Sequence, residues 1–193
     1  MSDLVALTEL DAVNTMLDTI GEAPVNTLIN LNVTDANNAI RTLHRTSRFV
    51  QEKGYEFNTE VNYKLTPTLA GKIIVPSNAL RVDVEPNTDD VRVTQRGDYL
   101  YDIINQTYIF ENPVHVRMVL FLAFEDLPSA ARQYIMIKAA RTFGDKMLGT
   151  DVVHEYSAQD EQDALYSFRD AEAESGDHNI FTDSWSVANI LNR

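Results

Sequence analysis

The spacing of apolar residues changes period twice along this chain, and that change restricts the available folds more than any motif does. Up to residue 54, and again from 126, apolar positions recur every three to four residues, as on one face of a helix. Between these blocks, from about 55 to 124, Pro67, Pro76, Pro86 and Pro113 separate short β-branched or aromatic runs. Such runs between turn signals predict an antiparallel sheet or meander. The expected fold class is therefore α+β, a four-helix core with an inserted antiparallel β region. At 193 residues and the usual ~150 per domain, a single domain with extensions is expected over 1–193. Its parts are helical stretches at 7–54 and 126–176, the β region, and a docking tail at 177–193.

Local signals place the elements. Thr8 and Asp11 form a capping-box pattern ahead of Leu10, Val13, Leu17 and Ile20, with Gly21 placed to end the first helix. Thr34 or Asp35 caps a second helix with Ile40, Leu43 and Val50 on one face and Gly54 as its stop. Strands are expected at Gly71 to Val75, Leu80 to Val84, Val91 to Thr94, Tyr99 to Asp102, Thr107 to Phe110 and Val114 to Phe124. Arg96-Gly97-Asp98 reads as a hairpin turn, which accounts for this tripeptide without an adhesion role. Asp126 and Pro128 open a third helix, ended by Gly149, in which Tyr134, Ile135, Met136, Ile137, Ala139, Ala140, Phe143 and Met147 put apolar groups on most sides. It should be the most buried helix. Thr150 or Asp151 caps a fourth helix to about Ser175, with Val153, Tyr156, Ala164, Leu165, Phe168 and Ala171 inward and Gly176 beyond it. The tail carries Phe181, Trp185, Ile190 and Leu191, so we expect it to dock on this chain or on a neighbour.

Composition removes several function classes. The absence of cysteine excludes a disulfide scaffold, a thiolate zinc site and a cysteine nucleophile. The start has no basic, apolar signal pattern, and the longest apolar run, Val114 to Phe124, is broken by His115 and Arg117. We read the chain as soluble and made in a cytoplasm. Sixteen basic against 29 acidic side chains give a net charge of −13, which disfavours gripping nucleic acid through its phosphates.

Searching for chemistry gives mostly negatives. No glycine-rich phosphate cradle and no G-x-S-x-G elbow are present. His44, His115, His154 and His178 lack ligand spacing; Asp151, His154 and Glu155 would share a helix flank, but first-turn acids are commonplace. Glu56 with Glu60, Asp83 with Glu85, and Glu125 with Asp126 are carboxylate pairs of the kind a glycoside hydrolase uses, and solvated loop and cap acids explain them as well. The sequons at Asn32 and Asn105 carry no meaning without a secretory route. We expect no catalytic, cofactor-binding or metal-binding residue.

Two charge features say more. Arg41, Arg45 and Arg48 fall at i, i+4 and i+7 on the second helix, opposite Ile40, Leu43, Ser47 and Val50, and form a basic stripe on an acidic protein. Its complement lies in residues 151–178, where nine acids face one base, Arg169. The stripe is either solvated or docks an acidic surface, another copy of this chain included.

Four ordered blocks carry a resemblance. Thr8 to Leu28, Asp35 to Asn58, the Arg96 to Asp102 turn and Glu125 to Gly149 resemble the tail tubular protein A family of T7-like short-tailed bacteriophages. The match weakens through 59–95 and after Gly176. The resemblance implies a structural virion protein of the tail: a ring of twelve copies between the portal protein and the nozzle, tail tubular protein B, with tail fibres attached near the junction. Genomic DNA passes through such a ring without specific binding, no membrane or cofactor is involved, and no catalytic residue can be carried over. A closed ring needs contacts between unlike patches, which a basic stripe and an acidic helix would supply, and acidic walls would let phosphates slide. The subunit or partner interface is expected at Arg41, Arg45, Arg48, Phe181 and Trp185. The competing expectation is a tail-borne enzyme that cleaves polysaccharide through one of the carboxylate pairs.

Overall fold

A computed structural model describes residues 6–29, 33–84, 91–149 and 156–176. Its helices are α1 (Glu9–Asp18), α2 (Thr34–Gln51), α3 (Ser129–Leu148) and α4 (Ala158–Gly176); its strands are β1 (Thr59–Leu65), β2 (Ala79–Val84), β3 (Val93–Arg96), β4 (Tyr99–Asp102) and β5 (Val114–Leu120). All strand pairs are antiparallel, so the molecule is α+β. The chain divides into two compact units, one reaching Thr46 and resuming at Leu127, the other Ser47–Asp126.

In the helical unit, α1 begins and ends where its residues say it should. The Thr8 hydroxyl accepts from the Asp11 N–H while the Asp11 carboxylate accepts from the Thr8 N–H, both at 3.1 Å, satisfying two amides that the first turn leaves open. Gly21, at φ +76°, reverses the chain so that the Glu22 N–H reaches the Leu17 carbonyl and the Gly21 N–H that of Asp18. Ala12, Val13, Met16 and Leu17 are fully buried, and α1 packs on α3. The Arg132 guanidinium fastens the chain ahead of α1 to the start of α3 by donating to the Leu7 and Leu127 carbonyls.

The third helix is buried on several sides. Tyr134, Ile135, Met136 and Ile137 are consecutive and all buried, which one partner surface cannot achieve. It contacts α1 and α4. Met147, expected among the buried groups, is 37% exposed, because the final turn extends past its packing partners and Leu148 beside it is exposed as well. The fourth helix starts later than expected. Tyr156 and Ser157 are not helical; Ser157 and Asp160 form the cap, the Ser157 hydroxyl accepting from the Asp160 N–H and the Asp160 carboxylate accepting from the Ser157 N–H. The caps expected at Thr150 or Asp151, and Val153, lie outside the described residues. Phe168 is buried and Ala164 and Leu165 partly so, but Ala171, expected inward, is exposed.

The β unit has a three-stranded sheet in the order β1-β5-β2 and a β3–β4 hairpin. Gly97, at φ +61°, and Asp98 make the expected turn, with Arg96 opposite Tyr99. Leu65, Ile73, Val75, Val82, Leu100, Phe110, Val114, Val116 and Met118 form the core. The first strand was not expected: it lies at the sheet edge, most of its side chains are exposed, and Asn62 at φ +57° breaks its register, so TEVNYKL shows no clean alternation. Gly71 to Val75 and Thr107 to Phe110 form only isolated bridges, Lys72 with Ile109, Ile74 with Tyr99 and Asp102 with Thr107. Val93, two residues later than expected, opens β3. The last strand stops at Leu120 rather than Phe124 because Leu122 turns its backbone to a side chain: the Gln51 amide accepts from its N–H at 2.8 Å and donates to its carbonyl at 3.0 Å.

Candidate interaction surfaces

Arg41, Arg45 and Arg48 are all exposed along α2, while Ala39, Leu43, Thr46 and Val50 on its opposite side are buried. None of the three arginines forms an ion pair with a described acidic group. Phe49, 57% exposed, flanks the stripe. Phe181 and Trp185 lie outside the described residues, so the structure brings neither to the arginines.

The outer side of α4 carries the opposite charge. Asp163, Asp170 and Glu174 are exposed and recur at helical spacing on the side away from Phe168, with exposed Asp160 on the flank. Asp160 is occupied by the cap, and its carboxyl is held below the ordinary value by the Ser157 hydroxyl and N–H. Asp163 accepts from the Gln159 amide. On the inner side, Glu161 bridges Lys138 and Arg141 of α3. Burial is the largest single influence on each and alone would raise the Glu161 carboxyl and lower the Lys138 ammonium, but it is outweighed by the combined hydrogen bonds and charges of Lys138 and Arg141 at Glu161, and of Glu161 and Tyr134 at Lys138. Glu161 is thus held below its ordinary range and Lys138 above it.

A third surface was not anticipated. In the β unit Ile73 and Val75 point into the core while Ile74 points out, and Ile74 lies beside outward-facing Tyr99 across an antiparallel bridge. Ile103, Ile104, Tyr108 and Ile109 are exposed nearby in sequence. The Lys72 ammonium sits 5.0 Å from the Tyr99 ring centre, Arg96 lies 3.6 Å over Tyr101, and Tyr101 meets Tyr108 edge to face at 4.8 Å. The signal was present in the run Lys72-Ile73-Ile74-Val75, which is apolar on both faces of a strand where one face should be polar. Beneath it, burial pushes the Asp102 carboxyl up, but the Asn105 amide and the Asn105 and Ile104 N–H groups outweigh this and hold it low. Asn105 of the second sequon is thereby part of a turn.

Asp83 pairs with Arg81 at 3.1 Å, Glu85 lies outside the described residues, and Glu56, Glu60, Glu125 and Asp126 are exposed. His44 pairs with Glu9, His115 sits half-buried on β5, and Asp151, His154, Glu155 and His178 lie outside the described residues. Among the described residues no group of three or more His, Asp or Glu could hold a metal ion. No described helix is long and apolar enough to cross a membrane.

The described residues define an α+β protein with exposed arginine, acidic and aromatic faces. Comparison with known sequences gives that class a family. The family model described as Tail tubular protein matches residues 10–178, and the chain belongs to that family. It is 38% identical over 127 residues to the tail tubular protein A of Klebsiella phage KP34, a match covering 66% of this chain and 66% of that relative's length. The chain is accordingly a structural protein of a bacteriophage virion tail.

Proposed function

We propose that this chain is the repeating subunit of a head-to-tail adaptor ring, twelve copies joining the portal protein to the nozzle protein, tail tubular protein B. The observation that carries this reading is the family match over residues 10–178, which takes in both the helical and the β unit. In the assembled subunit, a single adaptor domain over 1–193, the four helices act as the core that builds the ring. The β region, with its exposed Ile74–Tyr99 face, and the 177–193 tail with Phe181 and Trp185 meet portal, nozzle or fibre. Arg41, Arg45 and Arg48 lie at a subunit or partner interface. The net charge of −13 suits a conduit through which genomic DNA slides without being held. The chain is made in the host cytoplasm and performs no bond-making step.

Mass measurement on purified chain, alone and with recombinant portal and nozzle proteins, tests the reading. A discrete multi-copy complex with either partner is expected, even if the isolated chain is monomeric until the portal templates it. A chain that stays monomeric and binds neither partner overturns the reading.

A further inference from the structure

The arginine face of α2 has no partner among the described residues of its own chain, yet three cations aligned on one helix side repel one another unless something neutralises them. The same chain carries the matching surface. Asp163, Asp170 and Glu174 recur along the exposed side of α4, opposite the buried Phe168 that fastens this helix to α3. Arg41 to Arg48 spans roughly 10 Å of helix axis and Asp163 to Glu174 roughly 16 Å, so the basic stripe fits within the acidic one. Each stripe also has an exposed aromatic at its flank, Phe49 on α2 and Tyr166 on α4, 57% and 58% exposed. Arginine and aromatic side chains are the groups that most often anchor protein interfaces.

We infer that α2 of one copy docks through Arg41, Arg45 and Arg48 onto the Asp163, Asp170 and Glu174 face of α4 of the next copy. The contact joins unlike patches, so each subunit offers one of each and the arrangement propagates from copy to copy. Phe49 and Tyr166 exclude water at the edges of the charged strip, which strengthens the ion pairs beyond what exposed pairs supply. The inference rests on the multi-copy reading above and adds to it the two surfaces that meet.

The test uses the full chain in the assembled complex with its tail partners, and it exploits the absence of cysteine. Arg45→Cys and Asp170→Cys are made as separate variants. Under mild oxidation a complex holding both is expected to yield disulfide-linked dimers of one copy of each variant, with far fewer from a complex holding either alone. In parallel, the triple reversal of Arg41, Arg45 and Arg48 to Glu, or of Asp163, Asp170 and Glu174 to Arg, is expected to weaken copy-to-copy association by roughly tenfold or more, and both reversals in one chain should restore it. All six positions are exposed, and circular dichroism of each variant separates lost contact from lost folding. If the multi-copy complex forms normally with either reversal, or if no mixed disulfide forms in it, this interface is refuted while the reading of the chain as a ring subunit stands. If wild-type chain forms no multi-copy complex, both fall.

Discussion

Truncating Phe168 to Ala should release α4 from α3 without unfolding the rest of the chain. Phe168 is 1% exposed, alone among the described α4 side chains in being fully buried, and its ring stacks on Tyr134 at 5.7 Å between centres with the planes 15° apart. Removing it forfeits about 1.5–3 kcal/mol of apolar burial and about 0.5–1.5 kcal/mol for the aromatic pair. With the cavity left behind, the total comes to about 3–5 kcal/mol, the usual range for Phe→Ala in a core. The Glu161 pairs are partly exposed and cannot replace this, and a helix of this length is marginal in water without tertiary support. Amide exchange should show protection collapsing across Ala158–Gly176 while α1 and the β unit keep theirs, and far-UV circular dichroism should lose helical signal. Phe168→Leu, which keeps much of the volume, should cost under about 2 kcal/mol. If Phe168→Ala lowers stability by less than about 1 kcal/mol and leaves α4 protected, the reasoning that one side chain anchors this helix is refuted.

Two further perturbations test other joints. Glu161 is held below its ordinary range, so its stabilising effect should be complete above the ordinary glutamate value of about 4.3 and vanish as pH falls through its lower folded value. Glu161→Gln should remove roughly 1 kcal/mol at neutral pH and flatten the acid limb of a stability-against-pH curve; an unchanged acid limb would contradict this. Lys138 has the opposite sign, its contribution being present below about 10.4 and lost as pH rises through its raised folded value. Gln51→Leu should cost about 1–3 kcal/mol in urea unfolding, because the side chain is fully buried and leaves the Leu122 N–H and carbonyl without partners; unaltered stability would show that water takes its place.

The boundaries of α1 were readable because they are fixed by local chemistry. Thr8, Asp11 and Gly21 act within a few residues of themselves, and the apolar girdle of α3 follows from its composition alone. The α+β class was readable for a similar reason, since helical and strand periods do not interconvert. What escaped notice was set by tertiary context. The edge strand β1 buries little and so carries little pattern. Residues 71–75 and 107–110 are β-branched or aromatic runs, as strands are, but they form single bridges rather than ladders. The buried amides of Gln51 and Asn58, which grip the backbone of Leu122 and Leu120, look like ordinary surface residues until the fold surrounds them. The cap of α4 is an exception, since Ser157 and Asp160 form a local box like that of Thr8 and Asp11.

The candidate surfaces were partly readable. The arginine stripe needed only helical spacing, and all three side chains are exposed as that spacing requires. The acidic stripe was visible as charge density, but its division into Glu161, turned inward to α3, and Asp163, Asp170 and Glu174, turned outward, depends on which side of α4 Phe168 occupies. Half of the Ile74–Tyr99 face was signalled by the run Lys72 to Val75, apolar on both sides, but its pairing with Tyr99 depends on a cross-strand bridge between segments distant in sequence.

The most direct test of a ring subunit is where, and in how many copies, the chain sits in a finished particle. A residue-resolution image of the assembled tail should show twelve copies closed into a ring at the head-to-tail junction, with α2 of each against α4 of the next. A single copy, or copies dispersed along the tail with no contact to one another, would contradict it.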